Sequence, residues 1–286
     1  MSDSIIECDH VSYWYGLKTP SPVQALEEVS LSIEAGQRIG VVGHTGSGKS
    51  TFVQLLNALL LPTNGVVKVF GEDTSSKTTD LKALRKRVGL VFQFPEHQLF
   101  EETVWQDVAF GPRQMALDEK EVSRRAERAL ADMGLDTEKI VDRSPFELSG
   151  GQQRRVAIAG VLAMEPEILI LDEPLAGLDP EGKRSFEARI CELHAGRQIT
   201  TIIVSHELES IARLCDKVIV FEAGRVREFE KTRRIFEHVD MIRDSGLELP
   251  EVNQLMETLK KRGLKVRADV LTVEEAAREI IAALKD

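Results

Sequence analysis

The stretch GHTGSGKST, residues 43–51, carries glycines and a lysine in the spacing G-x-x-x-x-G-K-[ST]. It follows the apolar run RIGVV and precedes an amphipathic helical pattern. A glycine-rich turn between a buried strand and a helix directs backbone N–H groups inward, and the positive end of the helix dipole attracts anions. The stretch therefore predicts a phosphate-binding loop, in which Lys49 reaches the β and γ phosphates and the Ser50 hydroxyl is a ligand for Mg²⁺.

The runs around this loop predict the fold class. Four short and nearly all-apolar runs, at 38–43, 167–174, 200–205 and 217–224, are typical of strands buried on both faces of a parallel sheet. Helical patterns lie between them. One carries its apolar face from Phe52 to Leu60 and must stop before Pro62, and another begins at Pro180. Alternating strands and helices predict an open α/β sheet with right-handed crossovers.

Two regions depart from this alternation in the first part of the chain. Residues 1–38 and 66–70 read as strands, several of them with period-two alternation of apolar and polar residues. Residues 112–165 are predicted to form a helical insertion, within a helical subdomain at about 101–165. Asp118 and Glu121 form the sequence pattern of a capping box at the start of one of its helices.

The end of the chain reads as a separate helical unit. One helix is predicted from Pro250 to Gly263, and Thr272 is predicted to cap another. A boundary near residue 235 divides the chain into predicted units at 1–234 and 235–286.

Composition excludes several classes of protein. The chain of 286 residues is 42% apolar and 29% charged, which is typical of a folded globular protein, and its net charge of −10 does not indicate a nucleic-acid partner. Cys8, Cys191 and Cys215 are too far apart to indicate a zinc site or a redox dithiol, and we expect buried thiols in a reducing compartment. The N-terminus has no signal-peptide pattern, and no apolar run approaches the roughly 20 residues of a bilayer helix. We expect a chain that does not cross a membrane by itself.

The run ILILDEP, residues 168–174, places two carboxylates where a buried strand ends. Parallel α/β sheets bind ligands at the carboxyl ends of their strands, so Asp172 is predicted to hold Mg²⁺ through its coordination shell. Glu173 is predicted to polarise water as a general base. Either acid alone would be read as a solvated strand end, but the phosphate loop upstream favours the functional interpretation.

The run LSGGQ, residues 148–152, stands directly before an apolar helical pattern. Ser149 by itself is read as a helix cap. However, Gly150 and Gly151 leave the N–H groups of the helix N-terminus without covering side chains, which is the layout of a second anion site. Since Lys49 already holds one triphosphate, this second site requires a phosphate from another protomer. The sequence thus suggests a nucleotide sandwiched between two subunits.

These motifs, together with Gln93, AGLD (176–179) and His206, resemble in their order the nucleotide-binding subunits of ABC transporters. The resemblance covers residues 1 to about 230. It implies an ABC-type P-loop ATPase fold with a RecA-like parallel sheet, an antiparallel β subdomain, a helical subdomain and a small C-terminal helical extension. It also implies that two such subunits close head to tail around two ATP molecules with Mg²⁺.

The resemblance assigns further roles. Asp179 bridges the protomers, His206 holds the γ phosphate and orients Glu173, and Tyr15 stacks on adenine. Tyr13 is predicted to share the side of its strand with Tyr15, whereas Trp14 faces away. The residues expected to bind nucleotide are Tyr15, Gly43, His44, Thr45, Gly46, Ser47, Gly48, Lys49, Ser50, Thr51, Ser149, Gly150, Gly151, Gln152 and Asp179; those expected to act in hydrolysis are Glu173, His206 and Gln93; and those expected at the metal are Ser50, Gln93 and Asp172.

The unusual run LVFQFPEHQLF, residues 90–100, is explained by the same resemblance. A strand that ends in Gln93 followed by a loop otherwise reads as an ordinary surface turn. In the family this glutamine touches magnesium and the attacking water, and the loop after it meets the membrane-embedded partner. The run is therefore interpreted as a switch loop that senses the γ phosphate.

Four segments most resemble the second of the paired ATPases of energy-coupling-factor (ECF) importers. They are FQFPEHQLFEETVWQDVAFGP (92–112), LKTPSPVQ (17–24), SPFELSGGQ (144–152) and the tail. The resemblance implies a second ATPase, a transmembrane scaffold and a substrate-binding membrane subunit as partners, a peripheral place on the cytoplasmic face of the cell membrane, and uptake of a vitamin or other micronutrient. It implies that the tail contacts the other ATPase. Glu96, Glu101 and Glu102 with the apolar Phe94, Leu99 and Phe100 are predicted to form the groove that receives the scaffold.

Three alternatives remain at this stage. Importers of amino acids or metal ions share much of the motif layout. A chromosome or repair ATPase would clamp nucleic acid, but it needs a long coiled coil that residues 52–147 do not contain. A soluble translation factor would carry two cassettes, whereas this chain has one.

Overall fold

The computed structural model describes residues 4–285, so residues 1–3 and 286 of the predicted units lie outside it. Its strands form two sheets. The strands are β1 (Ser4–Tyr15), β2 (Val23–Glu34), β3 (Arg38–Val42), β4 (Asn64–Val69), β5 (Glu72–Asp73), β6 (Val88–Val91), β7 (Ile168–Asp172), β8 (Thr200–Val204), β9 (Lys217–Glu222) and β10 (Arg225–Lys231).

The larger sheet has the order β10-β9-β3-β8-β7-β6 and is parallel except for the antiparallel pair β10-β9. Its central strands are buried on both faces, and side chains that alternate along a strand enter two different cores. In β7, Ile168 and Ile170 belong to the core shared with the smaller sheet, whereas Leu169 and Leu171 belong to the core shared with the helices. The α/β prediction is confirmed, although β10 has no counterpart among the predicted strands.

The smaller sheet is antiparallel, in the order β2-β1-β4-β5. Its inner face packs with the first helix and the larger sheet through a continuous apolar cluster, in which Ile6, Leu26, Phe52 and Phe221 are fully buried. Phe52 and Phe221 lie with their ring centroids 5.1 Å apart. This packing sets the end of β1 beside the phosphate loop.

The helices lie on both sides of the larger sheet and at the end of the chain. They are α1 (Lys49–Leu56), α2 (Leu81–Arg87), α3 (Val104–Gln114), α4 (Glu119–Asp132), α5 (Thr137–Ile140), α6 (Gly150–Leu162), α7 (Pro180–Arg197), α8 (Leu208–Leu214), α9 (Thr232–Glu237), α10 (Val239–Asp244), α11 (Glu251–Lys261) and α12 (Val273–Ala283), with 3₁₀ turns at Pro95–Gln98 and Pro145–Glu147. No helix within residues 4–285 is long and apolar enough to cross a membrane.

The tail packs in two parts. The expected boundary near residue 235 falls inside α9, whose Ile235 and Phe236 are fully buried in the core of the larger sheet and its helices. Separate packing begins only with α11 and α12, around a small cluster that contains Met256 and Ala276. A boundary placed by apolar packing therefore lies close to residue 250.

Two helix ends differ from the predicted pattern. α1 stops at Leu56, because the buried Asn57 amide donates to the carbonyl of Val88 at 2.7 Å and Ala58 takes a left-handed φ of 54°. Leu59 consequently lies outside the helix and is half-exposed. At α4 the Asp118 carboxylate accepts from the Glu121 N–H at 2.9 Å, but the Glu121 carboxylate pairs with two arginines, so the capping box is one-sided.

Candidate functional site

Four parallel strands end at one edge of the larger sheet, and each is followed by a predicted site segment. The phosphate loop follows β3, Gln93 follows β6, Asp172 closes β7, and His206 follows β8. Parallel pairing aligns these carboxyl ends, so residues up to 163 positions apart in sequence share one edge.

The phosphate loop requires glycine at two positions. Gly43 has a φ of +153°, and a Cβ there would lie 2.4 Å from the carbonyl oxygen of Phe221. Gly48, the residue before α1, has a φ of +105°, and its Cβ would lie 2.7 Å from the carbonyl oxygen of Ala25. Ser47 contributes a buried hydroxyl that has no hydrogen-bond partner within the described chain. The loop thus holds an unpaired buried polar group, which is what an anion-binding turn offers its ligand.

Lys49 is directed back along the loop. Its Nζ donates to the carbonyl oxygens of Gly43, at 2.7 Å, and His44, at 3.0 Å. Burial lowers the pKa of the Lys49 ammonium, and the charges of Glu173 and Asp172 offset that shift only in part. An anion bound in the loop would stabilise the positively charged form of this ammonium, which burial disfavours.

Ser50 and Asp172 meet at the position predicted for Mg²⁺. Burial raises the pKa of the Asp172 carboxyl, a hydrogen bond from Ser50 opposes that shift, and the neighbouring Glu173 charge adds to it. No cluster of three or more His, Cys, Asp or Glu side chains suited to a metal occurs in residues 4–285. Mg²⁺ favours one or two protein ligands completed by phosphate oxygens and water. The hydroxyl and carboxylate fit a metal that arrives with a nucleotide.

Glu173 and His206 form a hydrogen-bonded pair. Glu173 has a φ of 50°, an unfavourable region for a residue with a side chain, and its N–H donates to the carbonyl oxygen of Val204 at 2.9 Å. This turn brings its carboxylate Oε1 to 2.9 Å from His206 Nδ1. The Glu173 side chain is 15% exposed and that of His206 is 63% exposed, so the pair opens on solvent from the histidine side.

The switch loop begins at Gln93, whose exposed side chain makes no hydrogen bond to any residue from 4 to 285. Phe94 follows with a left-handed φ of 57° and opens the 3₁₀ turn Pro95–Gln98. Phe94 and Phe100 are 43% and 60% exposed, whereas Leu99 is buried. Phe94 and Phe100 are thus free to line the predicted groove, which stays a prediction, whereas Leu99 belongs to the core and cannot line it.

Tyr15 lies at the end of β1 with its hydroxyl 3.1 Å from the Thr51 Oγ1, in the first turn of α1. Tyr13 packs edge-on against it at 4.9 Å between ring centroids, as the shared side of the strand predicts. The Tyr15 ring is half-exposed. A flat aromatic surface is thus fixed beside the phosphate loop, in a position suited to stacking on a base.

The LSGGQ segment stands apart from that loop. Ser149 caps α6 and forms a reciprocal capping box with Gln152. The Ser149 Oγ accepts from the Gln152 N–H at 3.4 Å, and the Gln152 Oε1 accepts from the Ser149 N–H at 3.1 Å. A Cβ at Gly150 or Gly151 would meet nothing within 4 Å. Asp179 similarly caps α7, accepting from the Gly182 N–H at 2.7 Å. Among the described residues, no hydrogen bond joins these groups to the phosphate loop, so one chain does not bring the two predicted halves of the site together.

Arg154 and Glu96 form a contact that no sequence pattern above predicted. Both side chains are largely buried, and their ends meet at 3.1 and 3.2 Å in a two-point ion pair. Glu96 therefore serves an internal contact, not the partner-facing groove in which the sequence interpretation placed it. A signal was present: Arg154 shares a helix face with Ile158 and Leu162 at spacings of four, which are core positions.

Comparison with known proteins gives the same picture. Residues 26–176 match the ABC transporter family. The energy-coupling factor transporter ATP-binding protein EcfA2 of Caldanaerobacter subterraneus subsp. tengcongensis is 48% identical over 280 residues, which cover 98% of both chains.

Solved structures agree with this relationship. That of cbiO1 from Clostridium perfringens, described as part of the ABC transporter complex cbiONQ, superposes with a TM-score of 0.77 at 36% identity over 90% of this chain and all of that one. A dimeric ATP-binding cassette in a post-hydrolysis state, bound to ADP and Pi, superposes with a TM-score of 0.71 at 28% identity over 79% of this chain and 98% of its own.

Proposed function

The chain belongs to the ABC transporter family, among the ATP-binding subunits of energy-coupling factor transporters, and we propose that its strand-end site hydrolyses ATP in a sandwich formed with a second ATPase. The observation that carries this proposal is the split site. Lys49, Asp172 and Glu173 converge on one edge of the sheet, while Ser149 and its glycines face solvent.

Each residue at the sheet edge has a defined task. The phosphate-loop N–H groups and Lys49 hold the β and γ phosphates, and Tyr15 stacks on adenine. Ser50 and Asp172 hold Mg²⁺ with Gln93, and when bound the metal neutralises charge on the phosphates. Glu173 takes a proton from the attacking water, and His206 orients its carboxylate.

The second half of the site is supplied in trans. The LSGGQ segment presents a bared helix end that has no phosphate of its own, and the dimeric cassette that superposes on this chain was solved with ADP and Pi. Asp179 lies exposed at the start of α7, where it can reach across the interface. The closing of two chains on two ATP molecules is the step that does mechanical work.

Membrane partners complete the assembly. The related chains are named for energy-coupling factor transporters, and the superposable cbiO1 is part of a complex. We assign this chain to the cytoplasmic face of the membrane, where the exposed Phe94, Phe100 and Glu102 contact a transmembrane scaffold. A separate membrane subunit selects a vitamin or other micronutrient. The exposed Leu255 of α11, Ile281 of α12 and Leu284 directly after α12 contact the second ATPase.

ATP affinity and co-purification test the proposal. Lys49→Ala should abolish measurable ATP binding, since it removes the only side-chain cation in the loop, while the exposed-lysine control Lys68→Ala should bind as wild type does. The tagged wild-type protein, extracted with detergent from its own cells, should co-purify with integral membrane proteins. Recovery with ribosomes or DNA alone, or unchanged ATP affinity in Lys49→Ala, would contradict the proposal.

A further inference from the structure

A single buried guanidinium holds together three segments of the chain. Arg154, in the second turn of α6, is 5% exposed. Its Nε and Nη2 donate to the two carboxylate oxygens of Glu96 at 3.2 and 3.1 Å. Its Nη1 donates to the carbonyl oxygens of Pro174, at 3.1 Å, and Ala176, at 2.7 Å. The switch loop, the segment after β7 and α6 therefore share one anchor.

Each anchored segment carries a residue assigned above to the nucleotide. Glu96 lies three positions after Gln93, and Ala176 lies midway between Glu173 and Asp179. Arg154 itself lies five positions after Ser149, on the helix that Ser149 caps. Arg154 thus connects the segments of Gln93 and Glu173, which act on the γ phosphate bound by this chain, to the helix end at Ser149, which faces the second chain.

The chemistry of this contact requires arginine. Burial alone would raise the pKa of the Glu96 carboxyl, but hydrogen bonds from Arg154 and from the Glu96 N–H, with the Arg154 charge, outweigh burial and hold that pKa below its ordinary value. Two nitrogens of the planar guanidinium donate to the carboxylate, and the third nitrogen donates to the two carbonyls. A lysine ammonium has no such planar set of donors. The neighbouring Arg155 differs: within residues 4–285, its guanidinium donates to the Gly151 carbonyl of its own helix, at 3.3 Å.

The two anchored loops also begin at strained residues. Phe94 and Glu173 have left-handed φ values of 57° and 50°; Glu173 directly follows β7, and Phe94 lies three residues after the end of the neighbouring β6. Strain of this kind persists where the surrounding contacts fix the backbone, and it is common in segments with two arrangements. Arg154 supplies such a contact to both loops at once.

We propose that Arg154 is a positioning residue that makes the switch loop, the segment after Glu173 and α6 move as one body when a triphosphate binds. This inference rests on the proposed nucleotide site. The presence of a γ phosphate at one site is then transmitted within the chain to the orientation of Ser149. Without the anchor, the chain still binds nucleotide but no longer relays binding to α6.

Hydrogen exchange measured by mass spectrometry tests this relay. The protein is kept dilute enough that light scattering shows single chains, so that a second chain cannot protect α6, and exchange is compared with and without Mg²⁺ and the non-hydrolysable analogue AMP-PNP. In wild type we expect slower exchange in residues 43–51, 93–98 and 150–162 together. In Arg154→Met/Glu96→Leu, slowing should persist at 43–51, while the slowing in α6 should fall about tenfold, within the range typical of coupling between sites.

The double variant replaces a buried ion pair by apolar side chains of similar size, a change that proteins commonly tolerate. Should it fail to fold by circular dichroism, Arg154→Lys gives the same readout with the charge kept and the fork lost. Arg213→Met is the matched control, because Arg213 also forms a two-point ion pair, with the buried carboxylate of Glu187, and its hydrogen bonds to Glu187 and Glu209 lie outside the three segments. It should lower the melting temperature but leave the relay intact.

Two results would overturn the inference: equal slowing in α6 of wild type and the anchorless variant, or no slowing in α6 of wild type despite bound AMP-PNP. Binding itself is measured separately by equilibrium dialysis. Absence of AMP-PNP binding to wild type would count against the proposed function, and thereby against the relay that depends on it.

Discussion

His206 Nδ1 lies 2.9 Å from Glu173 Oε1, across the ends of two adjacent parallel strands. An ionised carboxylate only accepts hydrogen bonds, so this contact requires the proton on Nδ1. The exposed Nε2 of a neutral ring is then an acceptor. A hydrogen bond from Nε2 to a phosphate oxygen requires either a protonated ring or release of Glu173, which links the state of the phosphate to the position of the general base.

Glu173→Gln should bind ATP with wild-type affinity but hydrolyse it ~10²–10⁴-fold more slowly, since the amide cannot accept the proton of the attacking water. Phosphate release and ATP dissociation constants, measured on the same samples, check this. Glu181→Gln, which alters an exposed carboxylate in the first turn of α7, should leave both unchanged. Rapid hydrolysis by Glu173→Gln would show that another group is the base.

Gly151→Asp should abolish ATP hydrolysis by the assembled pair while leaving ATP binding by the single chain intact. A side chain at this position meets open space in its own chain, so a loss must come from a negative charge facing the phosphate of the opposite site. Gly196→Asp in α7 is the matched control, as that glycine also has no atom within 4 Å of an added Cβ. Hydrolysis unaffected by Gly151→Asp would place the helix end away from any phosphate.

Asp172→Asn should raise the thermal stability of the nucleotide-free protein at pH 7. Because burial raises the pKa of Asp172 above its ordinary 3.8, its contribution to stability is fully present below that value and is lost as pH rises through the raised pKa. The asparagine variant avoids this loss, so its advantage in melting temperature should shrink as pH falls from 7 towards 4. The variant should also lose the Mg²⁺ dependence of ATP binding.

Asp216 has a pKa shift of the opposite sign to that of Asp172 and serves as the control. Burial alone would raise its pKa, but hydrogen bonds from Arg38 outweigh burial and hold it below the ordinary value. Its stabilisation is therefore present above 3.8 and lost as pH falls through the lowered pKa, and Asp216→Asn should destabilise the protein at pH 7. Melting curves of the two variants that shift in the same direction at pH 7 would contradict this account.

Tyr15→Ala should weaken ATP binding by roughly tenfold, in line with ~1–3 kcal/mol for stacking of a base on an aromatic ring. Binding of inorganic tripolyphosphate should not change, because the phosphate loop is untouched. Trp14→Ala, on the other side of β1, should affect neither ligand. Isothermal titration of both ligands distinguishes this outcome from general damage to the loop, in which tripolyphosphate binding falls as well.

Glu101→Lys/Glu102→Lys should uncouple transport from ATP hydrolysis while leaving ATP binding unchanged. These acids adjoin the exposed Phe100, and charge reversal there opposes docking of a basic scaffold segment. Solute uptake by reconstituted vesicles and ATP affinity are the two measurements. Glu127→Lys/Glu138→Lys makes the same charge change on exposed parts of α4 and α5 and should transport normally. Normal uptake with the first pair reversed would remove these acids from the interface.

Local patterns predicted most of the strands and the phosphate loop for a physical reason. Strands buried on both faces need uninterrupted apolar runs, and the loop needs glycine where Gly43 and Gly48 take positive φ. β10 was not predicted because it is an edge strand with charged residues at five of its seven positions, a composition that resembles a solvated loop. The role of Asp179 came from motif resemblance and that of Ser149 from the layout of a helix end bared by glycines, and in a single chain both residues act as helix caps.

The sequence by itself determined the strand–loop–helix unit at residues 43–51, the carboxylates that end β7 and the family to which the chain belongs. Tertiary structure alone decided that Glu96 turns inward to Arg154 and that the Tyr15 hydroxyl meets Thr51. These contacts join residues 58 and 36 positions apart, and each partner has several chemically plausible alternatives. Backbone propensity and apolar periodicity act over a few residues, whereas the choice of a buried partner depends on which strands and helices pack side by side.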